Sequence, residues 1–254
     1  MKRRALLAAA PALLALLALP GQAADDARRS GFDDLSPALQ AMQRDETQNP
    51  AMLGVRDGEA LWNRSAPTGK ACAECHADGL AGIAARYPRF DTRMQRPLTL
   101  AASIDRCRVQ RQGAAAQPPD GDEVLPLTAW LHWQSRGRPI VPDADPGLAA
   151  WRARGQALWR LRLGQLNLAC THCHDQRAGQ RLGGALIPQA HPTGVPTYRL
   201  EWQGLGSLQR RLRSCLVGVR AEPFAPASDE ALALETYLVQ RAAGMALEGA
   251  AIRP

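Results

Sequence analysis

The sequence has little of what an all-β or membrane-spanning protein needs. Aromatic residues make up 5% of the chain, and runs of alternating β-branched residues, the usual signal of strands, are absent. After residue 19 no apolar run is long enough to cross a bilayer. Lysine is nearly missing, since Lys2 and Lys70 are the only lysines, and arginine therefore carries almost all of the positive charge. We expect an all-α protein without a membrane anchor.

The first residues have the three parts of a secretory signal peptide. Lys2, Arg3 and Arg4 precede an apolar run at 5–19, which is shorter than the ~20 residues of a membrane span, and small residues follow up to Ala23. We predict cleavage of residues 1–23 and a periplasmic protein. Cleavage removes three basic residues and reduces the formal charge of +7. Charge therefore gives little support for nucleic-acid binding.

The chain contains an internal repeat. The segment Gly-Glu-Ala-Leu-Trp at 58–62 recurs as Gly-Gln-Ala-Leu-Trp at 155–159. Each copy is followed by a Cys-x-x-Cys-His motif, a lone cysteine, and an apolar pattern with the spacing of one helix face that ends in glycine. Landmarks in the same order are hard to obtain by chance. The order resembles the small all-α cytochrome c fold, and we predict two tandem domains of that type.

The boundary between the domains is predicted from composition. Residues 137–147 are rich in proline and glycine and lack apolar periodicity, so we place the linker there. The first domain would span 24–142 and the second 143–254. The stretch 30–50 has no counterpart before the second copy. We expect it to pack as short helices on the first domain or on a partner protein.

The two Cys-x-x-Cys-His motifs are typical of covalent haem attachment. Both thiols bond to haem vinyl groups, and the adjacent histidine becomes an iron ligand. A redox or zinc site is the alternative, but two copies behind an export signal favour two haem c groups. The residues that would hold the haems are Cys72, Cys75 and His76 at the first motif and Cys170, Cys173 and His174 at the second. His172, inside the second motif, is expected to be an exposed bystander.

The other axial ligand of each haem iron decides its potential and reactivity. Electron-carrying cytochromes c usually supply a loop methionine, but the second half contains only Met245, which follows the closing helix. The repeat favours the lone cysteines, which hold matched positions, and a disulfide between them is the alternative in an oxidising compartment. The candidates are Met94, Cys107 and His132 for the first haem and Cys215 and His191 for the second. His132 is otherwise expected to be a packed or surface residue.

Cys215 lies in a strongly basic stretch. Positive charge lowers the pKa of a thiol, holds a thiolate and attracts a small oxyanion. From charge alone, a solvated basic helix face is an equal alternative. The predicted haem favours the reactive interpretation, because iron can accept the electrons that a new sulfur–sulfur bond releases. The basic residues around the cysteine are Arg210, Arg211, Arg213 and Arg220.

The chain resembles the SoxA family, dihaem cytochrome c subunits of the L-cysteine S-thiosulfotransferase in the sulfur-oxidising system. The residues that carry the resemblance are 42–45 with Asn49 and Pro50, the segment 58–62, both haem motifs, and the block from Arg211 to Ala221. The resemblance covers essentially the whole mature chain. The haem motifs alone are shared by many cytochromes, whereas their combination with two late cysteines is far more specific.

The resemblance implies that His76 and Cys107 are the axial ligands of the first haem and His174 and Cys215 those of the second. It also implies that Cys215 is the catalytic residue, often a cysteine persulfide in the family, and that Arg211 helps to hold thiosulfate. The implied reaction joins thiosulfate oxidatively to a cysteine of the carrier SoxYZ. Electrons leave through haem to SoxX, a monohaem cytochrome that forms a heterodimer with SoxA. Some family members lack the first haem, which leaves its role open.

The main alternative function is a plain dihaem electron-transfer cytochrome c. Such a protein would share the fold and the haem count, but it ought to supply a methionine ligand in each half. A dihaem peroxidase and a haem-based sensor are further alternatives. Thiosulfate-dependent haem reduction in the presence of carrier and partner would distinguish the transferase from all three.

Overall fold

The computed structural model describes residues 26–66 and 69–254. The predicted signal peptide lies outside the described residues. The helices are α1 (Pro37–Arg44), α2 (Ala51–Asn63), α3 (Cys72–Cys75), α4 (Leu100–Gln112), α5 (Val124–Trp133), α6 (Leu148–Arg160), α7 (Cys170–His174), α8 (Leu208–Gly218) and α9 (Asp229–Arg241), with a 3₁₀ turn at Ile83–Arg86. The strands are β1 (Arg89–Asp91), β2 (Arg96–Leu98), β3 (Arg181–Leu182), β4 (Ala185–Leu186), β5 (Thr197–Arg199), β6 (Gly204–Gly206) and β7 (Ala251–Arg253).

Both halves have the order of helices that the repeat predicts. In the first half, α2 carries the repeated segment, α3 the haem motif and α4 the lone cysteine, and α5 closes the unit. In the second half, α6, α7, α8 and α9 follow the same order. The first and last of these helices pack together, α2 on α5 and α6 on α9. Gly137 and Gly244 follow the closing helices with left-handed φ angles of 75° and 82°, as expected for glycines that stop a helix.

A glycine lies at each of the two helix crossings. A β-carbon on Gly58 would be 2.1 Å from the carbonyl oxygen of Pro126, and a β-carbon on Gly155 would be 2.1 Å from that of Ala233. Neither distance leaves room for a methyl group. The close approach of the two helices therefore explains why glycine opens both copies of the repeated segment.

We expect Gly155→Ala to lower the free energy of unfolding by about 1–3 kcal/mol, because the added methyl group forces α6 away from α9. Gly218→Ala is the matched control. Gly218 is the last residue of α8, and nothing lies within 4 Å of its β-carbon position, so alanine there should be neutral or slightly stabilising. Chemical denaturation of the haem-loaded proteins compares the variants, and equal stabilities would contradict the close crossing.

The prediction of an all-α fold is only partly confirmed, because the described residues also contain small sheets. β1 pairs with β2, β3 pairs with β4, and β5 lies between β6 and β7. β5 is antiparallel to β6 and parallel to β7, with Thr197 opposite Gly206 on one side and Ala251 on the other. These strands are two or three residues long. They are too short to produce the alternation that predicts a strand from sequence.

The N-terminal extension contacts the C-terminal end of the second half, which differs from the expectation that it packs on the first domain, while packing on a partner protein stays a prediction. Arg28 donates hydrogen bonds to the carbonyl oxygens of Arg241 and Ala243 at 3.0 and 2.8 Å. The side chain of Gln43, in α1, accepts a hydrogen bond from the amide of Ile252 at 2.9 Å. The two ends of the described chain therefore meet at β7.

The predicted linker is anchored in the protein by one buried residue, although most of its other residues are exposed or half-buried. Ile140 is 4% exposed, and its backbone exchanges hydrogen bonds of 2.9 and 2.8 Å with Met245 and Gly244. The two halves therefore share a hydrophobic core around Ile140, while the domain boundary between 142 and 143 stays a prediction. The buried residues of this core are Ala84, Ala85, Leu100, Leu131, Ile140, Ala242 and Leu247.

A second meeting point of the halves is a cavity lined by His132 from α5 and Glu235 from α9. Burial lowers the pKa of His132 to about 4. Burial also raises the pKa of Glu235 to about 7, and the hydrogen bond that Gln209 donates at 3.0 Å offsets only part of that effect. His132 is thus a packed residue, which is one of the two sequence-based alternatives.

As the pH rises from about 5 to 8, we expect the Glu235→Gln variant to lose less free energy of unfolding than the wild type. In the folded chain Glu235 keeps its proton up to about pH 7, whereas its ordinary pKa is 4.5. The folded state therefore binds more protons than the unfolded state in this window, and Glu235 makes stability fall as the pH rises. The variant amide can accept the bond from Gln209 without titrating. Thermal unfolding across this pH range measures the difference, and parallel profiles for both proteins would contradict it.

Candidate functional site

The second haem motif forms one wall of a cavity of about 200 Å³, to which Cys170 and His174 contribute. The Nδ1 atom of His174 lies 2.7 Å from the carbonyl oxygen of Pro188. Because a carbonyl oxygen can only accept a hydrogen bond, Nδ1 carries the proton. In the neutral ring the Nε2 atom then has a free lone pair, which is the form of histidine that binds a metal ion, whereas the protonated ring can donate from Nε2 to Cys215.

A tryptophan stacks on the motif histidine in both halves. The ring centroids of Trp159 and His174 are 5.6 Å apart with planes at 30°, and Trp62 and His76 are also 5.6 Å apart, at 28°. Trp159 is fixed further because its Nε1 atom donates to Asp175 at 2.9 Å. The tryptophan that ends the repeated segment therefore orients the histidine of its own haem motif.

Cys215, on α8, faces the same cavity as His174. Burial by itself raises the pKa of the Cys215 thiol. The hydrogen bond with His174 and the positive charges of Arg211 and Arg199 outweigh burial, so the pKa lies below the usual cysteine value. The site thus favours a thiolate within hydrogen-bonding reach of the imidazole.

Cys170 has the opposite electrostatics. Burial, and secondarily the neighbouring Cys215, raise the pKa of the Cys170 thiol to about 11. A neutral thiol beside α7, a histidine with a free Nε2 atom and a thiolate facing the cavity are the groups that covalent attachment and axial ligation require. The residues present therefore fit a haem c group.

The first haem motif has a more open surrounding. Cys107, on α4, and Cys75 are both exposed. Burial is the main cause that raises the pKa of the Cys72 thiol, and nearby Cys107 adds to it. The side chain of Gln112 donates to the sulfur of Cys72 at 3.5 Å. Each lone cysteine therefore lies near the first cysteine of its own motif, and the six cysteines, all within the described ranges, form no disulfide.

The other candidate ligands have different surroundings. Met94 is 55% exposed at the turn between β1 and β2, and Met245 packs against the core that the halves share. His191 also lines the second cavity, where its Nδ1 atom donates to the carbonyl oxygen of Arg29 at 2.9 Å, whereas Cys215 forms a hydrogen bond with His174 itself. Of the two candidates for the second haem, Cys215 is therefore the one that the structure places beside His174.

His172 has a structural contact that the sequence analysis did not expect. Its Nδ1 atom accepts a hydrogen bond of 2.9 Å from the amide of Ala169, immediately before α7. The side chain is partly buried. His172 therefore helps to begin the helix that carries the haem motif and is not an exposed bystander.

Arg211 lines the cavity, as expected, one helical turn before Cys215. Sequence analysis missed Arg199 at the end of β5, Trp202 just after it and Leu35 of the N-terminal extension, which all line the cavity. The signal available for Arg199 was weak, a β-branched and an aromatic residue directly before it. Leu35 reaches the cavity only because the chain ends meet, which no local pattern predicts.

Two helix pairs, each with a stacked histidine in a Cys-x-x-Cys-His motif and a lone cysteine near that motif, define a c-type cytochrome with an internal repeat. The chain belongs to the SoxA/TsdA cytochrome c family, whose cytochrome c domain model matches residues 57–140 and 154–247. This confirms the family resemblance. Membership implies haem c as the cofactor.

Individual relatives agree with this family. The L-cysteine S-thiosulfotransferase subunit SoxA of Pseudaminobacter salicylatoxidans is 37% identical over 216 residues, which cover 83% of this chain and 76% of the relative. The subunit of the same name from Rhodovulum sulfidophilum is 34% identical over 241 residues, 92% of this chain and 84% of the relative. The crystal structure of SoxXA from P. pantotrophus matches with a TM-score of 0.84 and 30% identity, covering 89% of this chain and 87% of that chain. Within residues 26–66 and 69–254, no helix combines the length and apolar character of a membrane span.

Proposed function

We propose that this chain is the dihaem subunit of a periplasmic L-cysteine S-thiosulfotransferase. The enzyme joins thiosulfate to a cysteine of the carrier protein SoxY, within SoxYZ, and passes electrons to the cytochrome SoxX. The observation that carries the proposal is the cavity shared by Cys215, His174 and Arg211, since a plain electron carrier needs neither a thiolate nor arginines there. The name of the relatives supports the reaction class, and the match to SoxXA supports SoxX as partner in a heterodimer.

We propose two haem c groups, one for each motif. Each would be attached through the two motif cysteines, with the motif histidine and the nearby lone cysteine as axial ligands. Haem bound at these sites supplies acceptors for single electrons. The stacked histidine in each half supports this assignment. The attachment and ligand residues are Cys72, Cys75, His76 and Cys107 for the first haem and Cys170, Cys173, His174 and Cys215 for the second.

The overall reaction defines what the residues must do. A carrier thiol and a thiosulfate dianion give a carrier S-thiosulfonate, one proton and two electrons, with a new bond between the carrier sulfur and the terminal sulfur of thiosulfate. Arg211 holds the sulfonate by charge-assisted hydrogen bonds. Cys215, as a thiolate or a persulfide, would bond to the terminal sulfur of thiosulfate and give up two electrons, which haem held at this site would accept. The carrier thiol would then displace Cys215, take the S₂O₃ unit and lose its proton. Arg211 lines a half-enclosed cavity, where its attraction to the anion is stronger than at an open surface.

The test combines the haem-loaded protein with SoxX, reduced SoxYZ, thiosulfate and an oxidised acceptor cytochrome. We expect mass spectrometry to detect a S₂O₃ adduct on the carrier cysteine, with two electrons transferred to the acceptor for each adduct. Carrier whose cysteine has been alkylated is the control and should stop turnover. Acceptor reduction without any adduct would instead favour the plain dihaem electron-transfer cytochrome c.

A further inference from the structure

Two further arginines line the cavity with Arg211, and one of them, Arg253, is neutralised by Glu248. Arg199, the last residue of β5, lines the cavity together with Arg211 and Cys215. Both arginines are close enough to Cys215 for their positive charges to attract a negative charge on its sulfur atom. The two guanidinium groups therefore come from different elements and act on the same sulfur atom.

The two arginines are also close enough to repel each other. Burial is the larger cause that lowers the pKa of Arg199, and the charge of Arg211 is the next. The side chain of Arg199 is only 14% exposed, so water screens this repulsion less than it would at the surface. Two like charges in a half-enclosed cavity are costly unless an anion is bound between them.

The hydrogen bonds of Arg199 leave part of its guanidinium group available. Its Nε and Nη2 atoms donate to one oxygen of Glu201 at 3.1 and 2.6 Å. Glu201 is 52% exposed and can balance only one of the two positive charges. Among the described residues, the Nη1 atom of Arg199 and the guanidinium group of Arg211 have no hydrogen-bond acceptor. The site therefore has guanidinium donors available to an anion beside the Cys215 sulfur.

The position of Arg199 is fixed by the small sheet. β5 is its central strand, with Arg199 opposite Gly204 in β6 and Arg253 in β7. The guanidinium carbon of Arg199 lies 5.4 Å from the ring centroid of Trp202, within the range of a cation–π contact. A donor held in this way loses little side-chain freedom when it binds a ligand.

We propose that Arg199 and Arg211 together form the binding subsite for the sulfonate group of thiosulfate. This inference rests on the proposed function and names a second substrate-binding residue for it. The three sulfonate oxygens can accept hydrogen bonds from both guanidinium groups. Binding by the oxygens leaves the terminal sulfur of thiosulfate free to reach Cys215.

The test is the variant Arg199→Gln, with Arg210→Gln as matched control. Arg210 also contacts Trp202, at 4.3 Å from the ring centroid, but its side chain faces a different pocket. Loss of a hydrogen bond to a charged group predicts a rise in the KM for thiosulfate of at least about tenfold for Arg199→Gln, with a much smaller change in kcat. Arg199→Lys should recover part of the loss, and Arg210→Gln should behave as the wild type.

A binding measurement separates this inference from the proposed function. Calorimetric titration of the haem-loaded complex with thiosulfate, without carrier, should give a dissociation constant that rises by a similar factor in Arg199→Gln, with haem content and absorption spectrum unchanged. An affinity of Arg199→Gln within about twofold of the wild type would overturn the proposed subsite. A variant that loses haem but keeps its affinity for thiosulfate would also overturn it, and so would a wild-type protein that binds no thiosulfate. Thiosulfate binding that depends on Arg199, in a protein that never modifies the carrier, would refute the proposed function and leave the subsite standing.

Discussion

Cys215→Met is expected to lose thiosulfate conjugation by at least about a thousandfold while the protein keeps its haem groups. A methionine thioether can still ligate iron. It has no ionisable proton, however, and it can neither form a persulfide nor receive a sulfur unit. In the wild type, His174, Arg211 and Arg199 lower the pKa of Cys215 although burial raises it. The methionine of the variant cannot ionise, so these residues cannot activate it.

Cys107→Met is the matched variant in the first half. Cys107 occupies the equivalent position in the repeat, but it is exposed and does not line the cavity that holds Arg211. We expect its conjugation rate to stay within about tenfold of the wild type. Electron paramagnetic resonance of the oxidised proteins should show low-spin thiolate signals that disappear one at a time. Conjugation retained in Cys215→Met, or signals of His/Met or His/His ligation in the wild type, would contradict the proposed chemistry.

The elements that the sequence predicts are those that depend on local spacing. The repeat placed the order of helices in both halves, because the helix periodicity and the haem motif each lie within a few turns of chain. It also matched Cys107 with Cys215, each of which the structure places near its own motif. The repeated glycine was visible as a pattern, although its cause, the close helix crossing, required the structure.

What escaped prediction depends on contacts between distant parts of the chain. The strand β5 has three residues, and it is a strand only because β6 and β7 pair with it on both sides. Arg199 faces the cavity for the same reason. Likewise, the proline- and glycine-rich segment around Ile140 looked like a loose connection. Ile140 anchors it, because its backbone hydrogen-bonds with residues that follow α9, and local composition contains no information about that pairing.

Replacing both Cys170 and Cys173 by alanine is expected to leave a single covalent haem on the chain, to abolish conjugation and to lower thermal stability. The second cavity is walled by α6, α8, β5 and the N-terminal extension, so the loss of its haem removes packing from every one of these elements. Its apolar lining includes Trp159, Leu208 and Leu238. Because the haem would no longer stabilise the folded state and the two halves share the core around Ile140, the whole chain should unfold at a lower temperature than the wild type.

The matched pair is Cys72→Ala with Cys75→Ala, which should also leave one haem but retain conjugation. The first motif does not contribute to the cavity of Cys215, and its cysteines lie in a more exposed part of the chain. Intact mass of the denatured chains counts the attached haems even where the yield of folded protein is low. Both double variants could lose conjugation even though the first-motif variant keeps its second haem. That result would show that electrons reach SoxX only through the first haem. Conjugation in the chain that lacks the second haem would place the reaction outside the Cys215 cavity.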